Sequence, residues 1–495
     1  MRLTGEGALC YNSILKGRTV MFIGREEELL LLESLWEKRT ASLITCRGRR
    51  RVGKSTLIEE FAARTATHFI PIEGLPPRKG MTDVLQRKNF IARLGEWAGE
   101  TISEVSSWPL AFAALDARIP DEGRTVVLLD EISWTGGYDP DFPGYLKAAW
   151  DKKLKKHDNL VLVLCGSVSA WIADNILDNT GFVGRATLDL EIRELSLANS
   201  IKMLGPGADR LSTTEKLDLL SVVGGVPRYL EEIRPALSVE ENVRRLCFIR
   251  QGLLFREFED TFSVVFGSTV ANRRQILEAL VEGRKTASEI AALDGKAPSG
   301  SLIRALQELC LAGFVERERG LNLQTAKPQK IDRYRIKDNY IRFYLRFIAP
   351  QAAAIEQGTF RFASLDQLGG GGATLGRQFE NLVLNHVTDL FPLLGIDHAL
   401  VLSAAPYVQN RTARGEGCEI DLLIQTRRAV IVVEIKRQAQ IKMSVMDEVA
   451  EKIRRLKVPA RQSVRTALVY DGELSPQIPA ERYFDFLIPA SKLGL

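Results

Sequence analysis

Eight consecutive residues carry the most specific chemistry in this chain. Gly48-Arg49-Arg50-Arg51-Val52-Gly53-Lys54-Ser55 fits G-x-x-x-x-G-K-[ST] without a mismatch. Glycines let such a loop wrap phosphates with backbone N–H groups pointing inward. Lys54 then sets a point charge on the β/γ-phosphates, and the Ser55 hydroxyl is a ligand for Mg2+. The helix expected to open near Lys54 and run on through Thr56 turns its positive dipole end toward the anion. A second element gives the loop its partner. Thr125–Asp130 reads as a buried strand, and two acids, Asp130 and Glu131, stand at its end. Asp130 would bind the Mg2+ shell, and Glu131 would polarise the attacking water as general base. The plainer alternative is a core strand whose acids mark its exposed end.

Two further residues belong to this constellation. Ser167 follows a third apolar run, Leu160–Gly166, where a polar side chain would read a γ-phosphate; a turn serine is the alternative. Arg185, in Gly184-Arg185-Ala186-Thr187, is a candidate arginine finger acting in cis or in trans, or else a surface salt-bridge residue.

The second set of reactive side chains lies near the C-terminus. Glu419–Thr426 and Ala429–Arg437 read as two strands joined at Arg427-Arg428. If those arginines form a two-residue turn, Asp421 stands directly opposite Glu434, and directly paired residues point to the same face. Glu434 and Lys436 are two apart in one strand, so they share that face. Two acids and a lysine would then converge among apolar neighbours. Charges near a core cost several kcal/mol unless paired or metal-bound, on the order of 3–5 kcal/mol for a broken pair. Upstream, Glu380 sits on a helix that turns Leu382, Val383 and Val387 inward.

These groups need positioning elements. Strand-like and helical runs alternate to about residue 200, the mark of a parallel α/β sheet. The pattern then turns helical to about residue 262. Ala271–Gly283 reads as a helix with Ile276, Leu277 and Leu280 inward. Thr286-Ala287-Ser288-Glu289 is a capping box that starts a second helix. Ser301–Ala312 is a third, stopped by Gly313, and Phe314–Arg317 with Tyr334–Ile336 would form a hairpin. Three helices and a hairpin follow the winged helix-turn-helix plan. DNA binding would then use Ser301, Arg304 and Gln307; an intramolecular packing module is the alternative, since the third helix has no Lys. Tyr340, Phe343, Tyr344 and Phe347 recur at helical spacing and should fill a core, although aromatics among basic residues also stack on bases.

Composition narrows the class. The 495 residues suggest about three domains. Six singly scattered Cys and four His offer no metal-ligand spacing, so a reduced, cytoplasmic protein is expected. No apolar run reaches the length of a membrane span, no signal peptide is visible, and no membrane partner is expected. The net charge of +5 is too mild to argue for nucleic acid by itself.

Phe22-Ile23-Gly24-Arg25 with its following acids, the phosphate loop, the strand ending in Asp130-Glu131, the strand before Ser167, Gly184-Arg185 and Gly224-Gly225-Val226-Pro227 occur in that order. This series resembles the prokaryotic, archaeal-type P-loop ATPases of the AAA+/STAND lineage. The resemblance implies an α/β P-loop NTPase fold, ATP and Mg2+ as cofactors, and a helical lid whose G-x-P motif brings Pro227 to the nucleotide. Glu380 followed by D…E-x-K resembles the PD-(D/E)XK nucleases. That likeness implies Asp421 and Glu434 as Mg2+ ligands, Lys436 as the residue that orients water or stabilises the pentavalent charge, Glu380 on the metal's water shell, and Gln438 or Gln440 as a following polar residue. A salt-bridged hairpin in a degenerate nuclease is the alternative.

The organisation expected is an N-terminal extension (1–20), a P-loop ATPase domain (21–205), a helical lid (206–267), a winged helix-turn-helix domain (268–348), a Gly-rich linker (349–372) and a C-terminal α/β restriction-endonuclease-like domain (373–495). Function is read as ATP hydrolysis coupled to a Mg2+-dependent DNA nuclease, with DNA as partner and a homo-oligomer through the ATPase domain as an option. The alternative function is a STAND-like nucleotide-controlled switch or a DNA- or partner-binding regulator.

Overall fold

The structure is a computed structural model that describes residues 22–411 and 416–495; the expected extension, residues 1–20, lies outside the described residues. The chain divides into two compact units at Arg193/Glu194, not at residues 205/206. Among the described residues no helix is long and apolar enough to cross a membrane.

The first unit is built on a five-stranded, all-parallel sheet: β1 (Ser42–Arg47), β2 (His68–Glu73), β3 (Thr125–Asp130), β4 (Leu160–Gly166) and β5 (Ala186–Glu191), in the order β2-β3-β4-β1-β5. Its central strands are apolar on both faces, as a sheet covered by helices on both sides requires. Period-2 alternation sorts their side chains between two cores. Val127, Leu129, Leu162 and Leu164 join Phe90, Trp108 and Phe112 on one face. Val126, Leu128, Val161 and Val163 join Leu57, Ile58 and Phe61 on the other. Leu29, Leu32 and Leu35 are buried at the expected helical spacing. The Gly- and Pro-rich stretch from Trp134 to Pro143 is packed rather than looped out. Phe142 is buried, and a Cβ on Gly136 would meet its ring at 2.4 Å.

The second unit begins with helices that include Thr213–Val223, started by a capping box at Ser212, and Leu253–Phe266. The expected three helices appear at Val270–Leu280, Ala287–Ala292 and Gly300–Leu311, the second with its Thr286/Glu289 capping box. The hairpin follows as β6 (Val315–Glu318) and β7 (Arg333–Ile336), antiparallel. Tyr340, Phe343, Tyr344 and Phe347 are all buried and fill the core.

The expected 349–372 linker is largely ordered structure. Ala352–Glu356 is helical, and Gly371 and Gly372 are the first two residues of the helix Gly371–Asn385. Two of the glycines have local reasons: a Cβ on Gly371 would lie 2.6 Å from the Leu365 carbonyl oxygen, and Gly370 has φ 72°. The final sheet contains β8 (Val401–Gln409), β9 (Cys418–Thr426), β10 (Ala429–Ile441), β11 (Ser463–Leu474) and β12 (Phe486–Pro489), in the order β12-β11-β10-β9-β8. Strands β8, β9 and β10 are antiparallel neighbours, whereas β10, β11 and β12 run parallel, with the helix Ser444–Arg455 crossing between β10 and β11.

One continuous apolar core, from Leu195 to Leu493, runs through the three segments expected as lid, winged helix and C-terminal domain. Polar contacts bind the same segments. Arg335 donates to Glu318 at 2.6 Å, to Asn385 at 2.9 Å and to Asn381. Gln378 donates to the carbonyls of Ser221 (2.8 Å) and Asn339 (2.7 Å). Arg437 in β10 reaches Asp218 of the helix Thr213–Val223 at 2.6 Å and Asp471 of β11 at 3.1 Å.

His386 gives this core a pH signature. It is buried beside the Leu195 carbonyl, and burial pushes its imidazole down to about 4. A depressed histidine contributes stability that is complete above the unfolded value of about 6.5 and is lost as pH falls toward 4. Denaturant titrations at pH 7 and pH 4 should therefore show an acid-induced loss that is smaller by about 3 kcal/mol in His386→Gln.

Candidate functional site

The phosphate loop hangs between β1 and the helix Lys54–Thr65. Gly48 has φ 143°, and a Cβ there would meet the Ile192 carbonyl oxygen at 2.2 Å, so only glycine fits. Gly53 takes the left-handed conformation at the helix N-cap, φ 87°. Lys54 is buried, and its Nζ donates to the carbonyls of Gly48 (3.1 Å) and Arg49 (3.0 Å), which curls it back over the loop. Ser55 Oγ lies 2.6 Å from Asp130 Oδ2. Strand β4 separates β1 from β3, so the loop and Asp130 meet across one intervening strand. A hydroxyl and a carboxylate at that separation are hard oxygen donors suited to Mg2+.

Glu131 adopts φ 48°, ψ 50°, an unfavourable conformation for a non-glycine residue that often marks a functional position. Its carboxylate accepts from the Ser167 backbone N–H at 3.1 Å and from Ser167 Oγ at 2.9 Å. The two residues singled out on β3 and after β4 are therefore direct partners.

The remaining loop residues divide by role. Val52 is buried in the core, Thr56 is exposed, Arg50 lies 5.8 Å from the Trp134 ring centre, Arg49 is buried, and Arg51 has φ 69°.

Sequence reasoning missed three residues around this loop. Arg25 donates to the Val52 carbonyl at 3.1 Å and so braces the loop from the Gly24-Arg25 turn. Glu73 pairs in register with Asp130 across β2 and β3. Burial raises its carboxyl, and the charges of Asp130 and Glu131 add to the effect. Glu59 is raised likewise, by burial and by Asp130. The signal for Glu73 was available, since it ends β2 as Asp130 ends β3. The site thus concentrates negative charge that a metal ion would relieve.

Arg185 forms a two-pronged pair with Asp151, Nε at 2.9 Å and Nη2 at 2.8 Å. That hydrogen bonding holds the Asp151 carboxyl at about 2. A finger role would require this pair to open. Pro227 opens the short helix Pro227–Leu230 in the second unit, not the unit that carries the loop.

The C-terminal cluster follows the counted register. Val433 pairs with Leu422 and Val430 with Gln425, the ladder of a two-residue turn at Arg427-Arg428. The turn lacks Asn-Gly; Thr426 serves instead, its Oγ1 accepting from the Ala429 N–H at 2.9 Å. Glu434 and Lys436 do share a face, with Nζ 3.0 Å from Oε1. Asp421 Oδ2 accepts from the Ile435 N–H at 2.9 Å. The unforeseen residue is Lys452 on the helix Ser444–Arg455. Its Nζ lies 2.6 Å from Glu434 Oε2 and 3.7 Å from Asp421 Oδ1. Burial raises both carboxyls, and for Glu434 the Asp421 charge adds to it.

Glu380 stands near enough for its charge to raise Asp421, but its carboxylate is engaged by Arg284. Arg284 also pairs with Glu419 at 2.9 Å and Glu318 at 3.4 Å. A role for Glu380 on a metal's water shell would require this pair to rearrange. Gln438 and Gln440 are exposed.

Comparisons with known proteins bear on the first unit most directly. Residues 22–233 match a family described as an ATPase domain predominantly from Archaea. An uncharacterized protein of Methanocaldococcus jannaschii is 27% identical over 347 residues, 69% of this chain and 72% of that protein. An uncharacterized ATP-binding protein of the same organism is 55% identical over 42 residues, 8% of this chain and 71% of its own length. Among solved structures, a Walker-type ATPase of Pyrococcus abyssi superposes with a TM-score of 0.44 at 19% identity, covering 67% of this chain and 97% of that one.

The geometry separates binding from turnover. Lys54→Ala should abolish nucleotide binding, because the loop loses its phosphate cation. Glu131→Gln should still bind ATP but slow hydrolysis by about 10²-fold or more. A fluorescent-nucleotide titration beside a phosphate-release assay reads the two steps independently.

Proposed function

We propose that this chain is an archaeal-type P-loop ATPase that binds and hydrolyses ATP, and that its nucleotide cycle controls a Mg2+-dependent DNA nuclease site formed by Asp421, Glu434 and Lys436. The observation that carries the proposal is the meeting of those three side chains within the neighbouring strands β9 and β10, among buried neighbours. Asp421 and Glu434 would hold the metal, which polarises the scissile phosphate and water. Lys436 would orient the attacking water or steady the negative charge on the phosphoryl oxygens of the pentavalent state. Mg2+ at the ATP site would rest on Ser55 and Asp130.

The rest of the second unit supplies a means of control. Arg437 follows Lys436 directly and is tied to Asp218 on the helix that leads into Gly224-Gly225-Val226-Pro227. A shift of that helix would pull on the strand that carries the reactive pair. DNA would be held by the winged helix-turn-helix, whose Ser301, Arg304 and Gln307 are exposed along one helix.

A specific observation favours a second reading, a STAND-like switch with a silent nuclease fold. Each of the acids already has an internal cation: Arg284 on Glu380, Lys436 and Lys452 on Glu434. The two readings part in one assay. Purified protein is incubated with plasmid and linear DNA, with and without Mg2+ or Mn2+ and ATP, beside Glu434→Ala. The nuclease reading expects metal-dependent cleavage that Glu434→Ala loses while its ATP hydrolysis stays at the wild-type rate. No cleavage under any condition leaves the switch.

Assembly through the ATPase domain is tested separately. If Arg185 acts across a subunit boundary, mixing Arg185→Ala with Lys54→Ala subunits should restore ATPase activity that neither has alone. A fully active monomer by light scattering assigns Arg185 to its pair with Asp151.

A further inference from the structure

The Asp421/Glu434 pair is met by two lysines where the nuclease reading needs one. Three acids, Glu380, Asp421 and Glu434, are faced by three cations, Arg284, Lys436 and Lys452. Lys436 has an obvious place beside the reacting phosphate. Lys452 does not: its ammonium stands between the two carboxylates themselves, 2.6 Å from one and 3.7 Å from the other. The Glu434 side chain is 2% exposed, so its charge has no solvent alternative.

Asp421 and Glu434 fit a hard divalent ion by donor type. Among the described residues no group of three or more His, Cys, Asp or Glu closes around a metal position. Two carboxylates with water completing the shell is a usual arrangement for Mg2+, which binds its oxygens at about 2.0–2.1 Å. An ion so close to an oxygen of each acid would stand against the Lys452 ammonium. Like charges at that range repel strongly where water is scarce. Metal and Lys452 therefore exclude one another.

We infer that Lys452 is an internal counter-ion that keeps the Asp421/Glu434 site closed to divalent cations until it swings aside. The inference rests on the reading of those two acids as metal ligands. The side chain is suited to the task. It is a flexible four-carbon stem, 23% exposed, on the solvent-bordered helix Ser444–Arg455. Glu448, one turn earlier on the same helix and 49% exposed, offers the displaced ammonium a carboxylate at i−4. Glu448 now accepts from Lys436 at 3.0 Å, so the move would also release Lys436 toward a substrate phosphate. One displacement would thus admit the metal and free the lysine. Lys452 acts here as a positioning residue, through the acids and through Lys436.

The test is metal binding, read apart from cleavage. Full-length protein without nucleotide is titrated with Mn2+ by calorimetry, and the signal lost in Glu434→Ala is assigned to this site. Lys452→Met keeps the stem and removes the charge, and should bind Mn2+ at least about tenfold tighter than wild type. Lys452→Arg keeps the charge and should retain the weak affinity. Thermal melts should show Lys452→Met destabilised without metal and rescued by Mn2+ more than wild type is. Equal or weaker Mn2+ binding by a folded Lys452→Met overturns the counter-ion role and leaves the metal reading standing. If no variant binds Mn2+ in a way that depends on Glu434, both the inference and the nuclease reading fail.

Discussion

A carboxylate on a buried strand must be balanced by a hydrogen-bond donor or a cation, and both acid clusters of this chain are organised by that demand. At the end of β3, Asp130 finds a hydroxyl, Ser55, and carboxylate neighbours at Glu73 and Glu59, so negative charge accumulates. In β9 and β10, Asp421 and Glu434 are instead paired with lysines of the chain itself. The two clusters therefore differ in electrostatic resting state: acids gather in the first, and acids and lysines alternate in the second.

Much of this was legible in the residues. The loop from Gly48 to Ser55 and the acids at the end of β3 were read as parts of one Mg2+ site, and Ser55 and Asp130 do lie side by side. The register of β9 and β10 followed from period-2 geometry and the length of the turn, and the ladder obeys it even though Thr426 replaces the usual turn glycine. The capping box at Thr286 and the aromatic stripe from Tyr340 to Phe347 were equally direct, because caps and amphipathic faces are local.

What escaped had no local signature. Lys452 and Arg284 look like ordinary surface cations until long-range packing brings them onto buried acids, and nothing in their neighbours in sequence marks them. The run from Gly369 to Gly372 misled for a related reason. Glycine is the residue both of a free linker and of a tight backbone approach, and the carbonyl of Leu365, which decides between them, is supplied by tertiary structure. Leu195 and Leu197, placed before the expected boundary at 205/206, pack into the second core, an allegiance visible only once that core is assembled.

The polar contacts of the helix Gly371–Asn385 bear on how such a chain can be inherited. Gln378, Asn381 and Asn385 supply the partners of Ser221, Arg335 and Asn339, groups that lie in segments far earlier in the chain. A cut at the glycine run would leave a buried guanidinium and several amides facing empty sockets, and each unpaired group carries a penalty of roughly 1–3 kcal/mol. Residues 194–495 therefore behave as one heritable block. Recombination that grafts a foreign C-terminal sheet onto this scaffold would have to carry the matching amides with it, which makes the sheet and the helices beneath it co-travellers rather than interchangeable parts.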